Sequence, residues 1–224
     1  MRRNSFFISW LVLIAGLLGS VRGGAVDVNS AEALRNVLGN ATVNGNVVTL
    51  TDDVYLDRNS GGLSITGGTM VLDLNTYTLT YDRSSINASK GDDIAINVNG
   101  SSANITVKNG NIVTKSAKGT NSSGKFGDGG DGSNAFAIVL NDGLVAIIDV
   151  VMTVSPGAGG SGGSWVGSSG SAGGAWVIDA NGSHTLENML PAGTYFSKPT
   201  GVNYKEEGGG INQTAATVSL TQYN

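Results

Sequence analysis

The chain has 224 residues, of which 35 are glycine and 13% charged, with no cysteine. That length suits one domain with a real core, and the glycine share, roughly twice the ordinary one, excludes a helical bundle. With 40% apolar residues in regular spacing, simple disorder is excluded as well, and the absence of cysteine rules out disulfides, thiolate metal sites and a cysteine nucleophile.

Residues 1–25 read as a secretory signal. Arg2 and Arg3 precede an almost unbroken apolar run from Phe6 to Leu18, and Gly23-Gly24-Ala25 supplies small residues for cleavage. The run is short of the ~20 residues a membrane span needs, so no span is expected after cleavage. Without Arg2, Arg3 and Arg22 the remainder, 26–224, keeps 10 basic against 17 acidic residues, a net charge of −7. Such a surface repels nucleic acid and anionic membranes. The expected compartment is extracellular: secreted or at the cell surface.

The first predicted element is a short helix. Asn29 with Glu32 three residues on makes a capping box with Asn in place of Ser/Thr; Ala31, Leu34, Val37 and Leu38 share a face, and Gly39 ends it. Its role is a lid over one end of a β stack. Brief alternating runs follow at 47–50, 54–56, 63–65 and 70–74, separated by Asn, Asp and Gly, and read as strands.

Three segments then superpose without gaps. They begin at Thr66-Gly67-Gly68, Asn99-Gly100 and Asn141-Asp142-Gly143, and each turn is followed by apolar residues six positions later (Leu72, Ile105, Ile147) and thirteen later (Leu79, Ile112, Val154). Asp149 breaks the pattern where the earlier copies have Leu74 and Val107. A looser copy equates Trp176–Ala180 with Ile94–Val98 and Phe136–Leu140. Repeats of this length imply coils that bury their inward side chains only against neighbouring coils. The extra length falls in two glycine-rich loops, 116–134 and 155–175, expected to project from the stack. Ala216 to Tyr223 reads as one more strand with no cap after it, so that either the chain continues or subunits stack head to tail.

The run LSITGGTMVLDLNTYTLT with ANITVKNGNIV resembles coils of the pectin lyase-like superfamily, and the later glycine-rich run is similar to β-solenoid surface proteins and to autotransporter passenger regions. The resemblance covers about residues 27–196, and the membrane barrel of autotransporters has no counterpart here. It implies an all-β, right-handed parallel β-helix (a solenoid) of about five coils with a short N-terminal capping helix.

Enzymes of that superfamily cleave polysaccharides, and a hydrolase needs two carboxyl groups facing one bond. The pairs Asp52-Asp53 and Asp92-Asp93 place adjacent side chains on opposite faces of a strand and sit at turns. Arg58 and Arg83 neighbour no acid cluster suited to a lyase, and His184, beside Asn181-Gly182-Ser183, reads as a turn residue. Gly127-Asp128-Gly129-Gly130-Asp131-Gly132 resembles a single turn of a calcium-binding nonapeptide repeat, whose sites need successive copies; here it reads as a solvated loop. No catalytic residue, metal ligand or cofactor is therefore assigned. Sequons at Asn87, Asn99 and Asn121, among others, matter only where the source glycosylates.

Aromatics gather late in the chain: Trp165, Trp176, Tyr195, Phe196 and Tyr204. Trp176 opens a strand and should pack on the coil. Trp165, alone in an uncharged glycine loop, is the candidate ligand contact. The expected function is that of a structural or adhesin-like solenoid acting by contact on a glycan or cell-surface ligand, and not an enzyme. The alternatives are a carbohydrate-active enzyme with an unrecognised site and a self-assembling extracellular filament subunit.

Overall fold

The structure is a computed structural model describing residues 25–39, 46–180, 194–195, 211–212 and 217–222. The expected signal, His184, Phe196 and Tyr204 lie outside these residues. The described chain is mostly β with one helix, its parallel strands curled into a half-barrel. In chain order the elements are β1 (Ala25–Val28), α1 (Ala31–Gly39), β2 (Asn46–Leu50), β3 (Val54–Leu56), β4 (Leu63–Ile65), β5 (Thr69–Asp73), β6 (Thr78–Asp82), β7 (Asn87–Ala88), β8 (Asp92–Lys115) and β9 (Lys118–Gly119). After them come β10 (Asn134–Ser155), β11 (Ala175–Ala180), β12 (Thr194–Tyr195), β13 (Ile211–Asn212) and β14 (Thr217–Gln222).

The long strands β8 and β10 bend so that successive parts join three parallel ladders. One runs β1-β2-β5-β8-β10, a second β3-β6-β8-β10, and a third β4-β8-β10-β11. Each ladder carries an inward column of aliphatic residues in register. Val48, Leu72, Val107 and Ile147 stand in the first, Val54, Leu79, Ile112 and Met152 in the second, and Leu63, Ile96, Ile138 and Ile178 in the third. All twelve side chains are at most 2% exposed. Fully burying a side chain of this kind is worth about 1.5–3 kcal/mol, so these columns carry the fold.

The expected helix is present with a different cap: the Ser30 hydroxyl oxygen accepts the Ala33 amide at 3.3 Å, so Ser30, not Asn29, is the N-cap. Leu34 and Leu38 are buried, and α1 packs on β3 and β4, the first strands of two ladders. The expected strand 216–223 is realised as β14, but it pairs antiparallel with β10 and with β12, while β13 runs antiparallel to β11. The chain thus reverses direction at this end where another parallel coil was expected.

Corner lengths explain why the gap-free repeat slips. Leu72 pairs with Val107, a step of 35, while Leu79 pairs with Ile112, a step of 33. The first corner holds four residues (74–77) where the next holds two (109–110), and the positive φ of Asn75, Thr76 and Asn109 makes these turns. Asp149, with φ 51°, lies between the pairs Ile148–Lys108 and Val150–Gly110. It is therefore the corner partner of Asn109 rather than a failed core residue. Asn and Asp tolerate this conformation better than other residues with a Cβ.

These corners also carry the acid-sensitive contacts. Desolvation would raise the pKa of Asp73, but Lys108 at 3.0 Å and hydrogen bonds from Asn75 and Asn109 outweigh it and hold the carboxyl below its ordinary 3.8. Asp82, opposed by its own burial, is likewise held down by Ser84 and Lys115. A carboxyl lowered in the folded state adds stability that is complete above its unfolded pKa and is lost as pH falls through the folded one. Urea midpoints should accordingly drop as pH is lowered through and below about 4, and Asp73→Asn should flatten that drop; equal slopes in both proteins would contradict the assignment.

Candidate functional site

Residues 116–134 and 155–175, expected to project from the stack, are not independent solvated loops. Each forms an outgoing and a returning arm, and the four arms bond one another every third residue. Outgoing amides of Ser116, Gly119 and Ser122 donate to the carbonyls of Ser155, Ala158 and Ser161 in the second loop at 2.8–2.9 Å. Returning amides of Gly129, Gly132 and Ala135 donate to Ser168, Ser171 and Gly174. A second set links opposed arms: Gly130 to Thr120 and Ser133 to Ala117 within the first loop, Gly170 to Gly160 and Gly173 to Gly157 within the second, and Gly157, Gly160 and Gly163 to Ser133, Gly130 and Gly127 between them.

A bonding period of three residues is that of the polyproline II helix, which rises about 3.1 Å per residue. Outgoing arms from Ser116 to Gly124 are thus about 25 Å long. The arms approach so closely that side chains are excluded between them. A Cβ on Gly160 would lie 2.0 Å from the Thr120 carbonyl oxygen, and one on Gly170 would lie 2.0 Å from that of Gly130. Glycine here acts as a core residue, through backbone contact instead of apolar area.

Asx side chains finish the lattice. The side-chain oxygens of Asn121, Asp128, Asp131 and Asn134 accept the amides of Ser161, Ser168, Ser171 and Gly174, each 40 residues on, at 2.8–2.9 Å. The calcium-like GDGGDG run is therefore a set of cross-loop acceptors, and Asp131 also faces Lys90 at 3.5 Å. Among the described residues no three His, Cys, Asp or Glu side chains converge as a metal site, and no helix is long and apolar enough to cross a membrane.

The root of the arms is pinned by Asp93, 1% exposed. Its Oδ1 accepts from Arg83 at 2.5 Å and its Oδ2 from the Ala117 amide at 2.8 Å. Arg83, read from sequence as lacking a suitable acid cluster, thus has a single buried carboxylate partner. Asp92 accepts from the Asn134 side chain at 2.8 Å, Asp52 from the Asp53 amide and Asp53 from the Thr78 amide. Each acid of the two sequence pairs thus has a backbone or side-chain partner in the scaffold.

At the far end the two loop tips lock together. Trp165 and Val166 donate their amides to the Lys125 carbonyl at 3.0 and 3.3 Å, and Phe126 forms a parallel bridge with Val166. Gly127 turns the chain with φ 131°, a region suited to glycine. Trp165 is 69% exposed, Phe126 66% and Val166 70%. The Phe126 and Trp165 rings meet edge-on at 6.1 Å, and the Lys125 ammonium lies 4.6 Å from the Trp165 ring centre.

The chain matches no family model, no curated protein and no solved structure. Function must therefore be argued from the site itself.

Of the sequence candidates, Trp165 is placed at this tip, while Trp176 stacks on Phe136 with centroids 4.8 Å apart and an interplanar angle of 9°. Lys125, Phe126 and Val166 were missed. The available signal was that Lys125 and Phe126 precede Trp165 and Val166 by the same 40 residues that separate the arm partners, and that no other large apolar residue occurs in either loop.

Proposed function

We propose that the protein is a secreted or cell-surface scaffold of adhesin-like type, in which a right-handed parallel β-helix holds the paired glycine arms and presents their tip to a ligand. One observation carries the reading: three large apolar side chains and a lysine stand at the end of arms whose backbone is bonded along their length. Exposed apolar groups held together on a rigid support mark contact surfaces, and tryptophan is prominent among the residues that dominate binding energy. A stiff arm also lowers the ordering cost of binding. The Trp165 and Phe126 rings offer faces on which an apolar ligand face, such as that of a sugar ring, can stack.

Trp165→Ala tests this. The substitution forfeits a surface cation–π contact worth about 0.5–1 kcal/mol, so melting should change little. Binding of the mature chain to a glycan array or to cells should fall at least tenfold, about 1.4 kcal/mol. Undiminished binding by the variant would reject the tip as the contact. Depolymerisation of glycans by the wild-type chain at ordinary enzyme rates would reject the non-catalytic reading as a whole.

A further inference from the structure

The bonding pattern of the arms repeats every 40 residues, and among the described residues it runs no further than the second loop. In the first loop the amides of Gly119, Ser122, Gly129 and Gly132 point to the second loop and are bonded there. One 40-residue step carries this donor row to Gly159, Gly162, Ser169 and Ala172. The same step carries the acceptors Gly130 and Ser133, bonded by Gly160 and Gly157, to the carbonyls of Gly170 and Gly173. None of these six groups has a hydrogen-bond partner among the described residues.

We infer that the outer face of the second loop is a self-association surface, and that its occupant is the same face of a second copy. An unfinished row of backbone donors and acceptors is a template for another chain, as at an open sheet edge. A partner must bring carbonyls and amides at a three-residue period and lack side chains where the backbones meet. The second loop has both properties itself, since along its returning arm the donors Ser169 and Ala172 alternate with the acceptors Gly170 and Gly173, and its arms from Gly157 onward are built of Gly, Ser and Ala around the Trp165–Val166 tip. It holds no charged residue from Ser155 to Ala175, so two such faces meet without repulsion even though the chain as a whole is acidic. Two copies related by a two-fold axis lying in that face and perpendicular to the arms place their bodies at opposite ends, with the arms overlapping antiparallel. Neighbouring arms of the bundle already run antiparallel, so the lattice accepts that polarity, and a self-complementary patch of this kind closes as a dimer.

Proline separates this surface from the fold. Ser169→Pro with Ala172→Pro deletes two outward donors, while the polyproline II backbone is the conformation that proline favours. Sedimentation of the full chain across a concentration series should show a monomer–dimer equilibrium. The double variant should dissociate at least tenfold more readily with an unchanged melting temperature, and Trp165→Ala should dimerise normally. Hydrogen exchange on the wild type gives a second measurement independent of any variant: the amides of Gly159, Gly162, Ser169 and Ala172 should gain protection as concentration rises. A chain that stays monomeric at the highest concentration would overturn the inference. So would dimers indifferent to the prolines, or amides already protected in the monomer, which would mean that the chain covers its own face.

Discussion

Asp93→Ala is expected to lower the unfolding free energy by about 3 kcal/mol, the low end of the range for breaking a buried ion pair. Asp93 is 1% exposed and serves two donors at once, the Arg83 guanidinium and the Ala117 amide. Removing the carboxylate strands both. Arg83 retains 26% exposure, so water recovers part of its solvation, which is why the low end applies. The Ala117 amide is buried and has no such recourse; an orphaned buried donor costs about 1–3 kcal/mol by itself. Urea unfolding of Asp93→Ala beside Asp52→Ala, an acid at an exposed position, makes the contrast. The double variant Asp93→Ala/Arg83→Met should lose less than the two single losses added, because the residues share one contact. Additive losses, or an Asp93→Ala midpoint equal to wild type, would remove the pinning role.

The location of this residue decides more than a stability value. Asp93 sits at the start of β8, where a coil strand begins, and its second oxygen holds the base of the glycine arm at Ala117. A weakened root should therefore loosen the arms before it loosens the columns of Val48, Leu72, Val107 and Ile147. The tip could then lose binding in a variant whose core still melts cooperatively.

How much of this was legible in the sequence follows from which signals are local. The equivalence of Ile94, Phe136 and Trp176 could be read directly, because no turn residue interrupts any of the three copies, and the pairing of Phe136 with Ile94 and Trp176 follows that alignment. Corners were not legible in the same way. A gap-free superposition equated Leu72 with Ile105 and Val154 with Ile112, whereas two additional corner residues move the true partners to Val107 and Met152. Apolar spacing cannot count turn residues. Arg83 and Asp93 are ten apart in sequence, and only the path of the intervening turn brings them together. The glycine arms were misread for a different reason. The periodic signal of a sequence lies in its apolar side chains, and these arms cohere through backbone groups. Their one sequence trace is glycine at 157, 160 and 163 and again at 167, 170 and 173, a period of three that belongs to neither helix nor strand.

Gly157→Ala should destabilise the arms by about 3 kcal/mol or more, the upper part of the range for overpacking. The new Cβ would lie 1.7 Å from the Ala117 carbonyl oxygen and 2.8 Å from the Ser133 nitrogen. Both neighbours are backbone, and neither can swing aside as a side chain would. Ala117 is held by Asp93, and the carbonyl it would have to move accepts the Ser133 amide at 3.0 Å. Gly157 itself donates to Ser133 and accepts from Gly173, both at 2.9 Å, so separating the arms to admit a methyl group breaks several bonds of about 0.5–1.5 kcal/mol each. Gly91→Ala is the matched control, since its nearest neighbour would be 3.9 Å away. There the stiffer unfolded chain should leave stability unchanged or raise it by about 0.4–1 kcal/mol. Hydrogen exchange distinguishes local from global loss: in Gly157→Ala the amides of Gly119, Gly132, Gly160 and Gly170 should exchange faster, while those of Ile105 and Ile147 keep their protection. Wild-type exchange throughout the arms would show that a side chain fits where the structure leaves no room for one, and the description of the arms as a close-packed backbone lattice would fail with it.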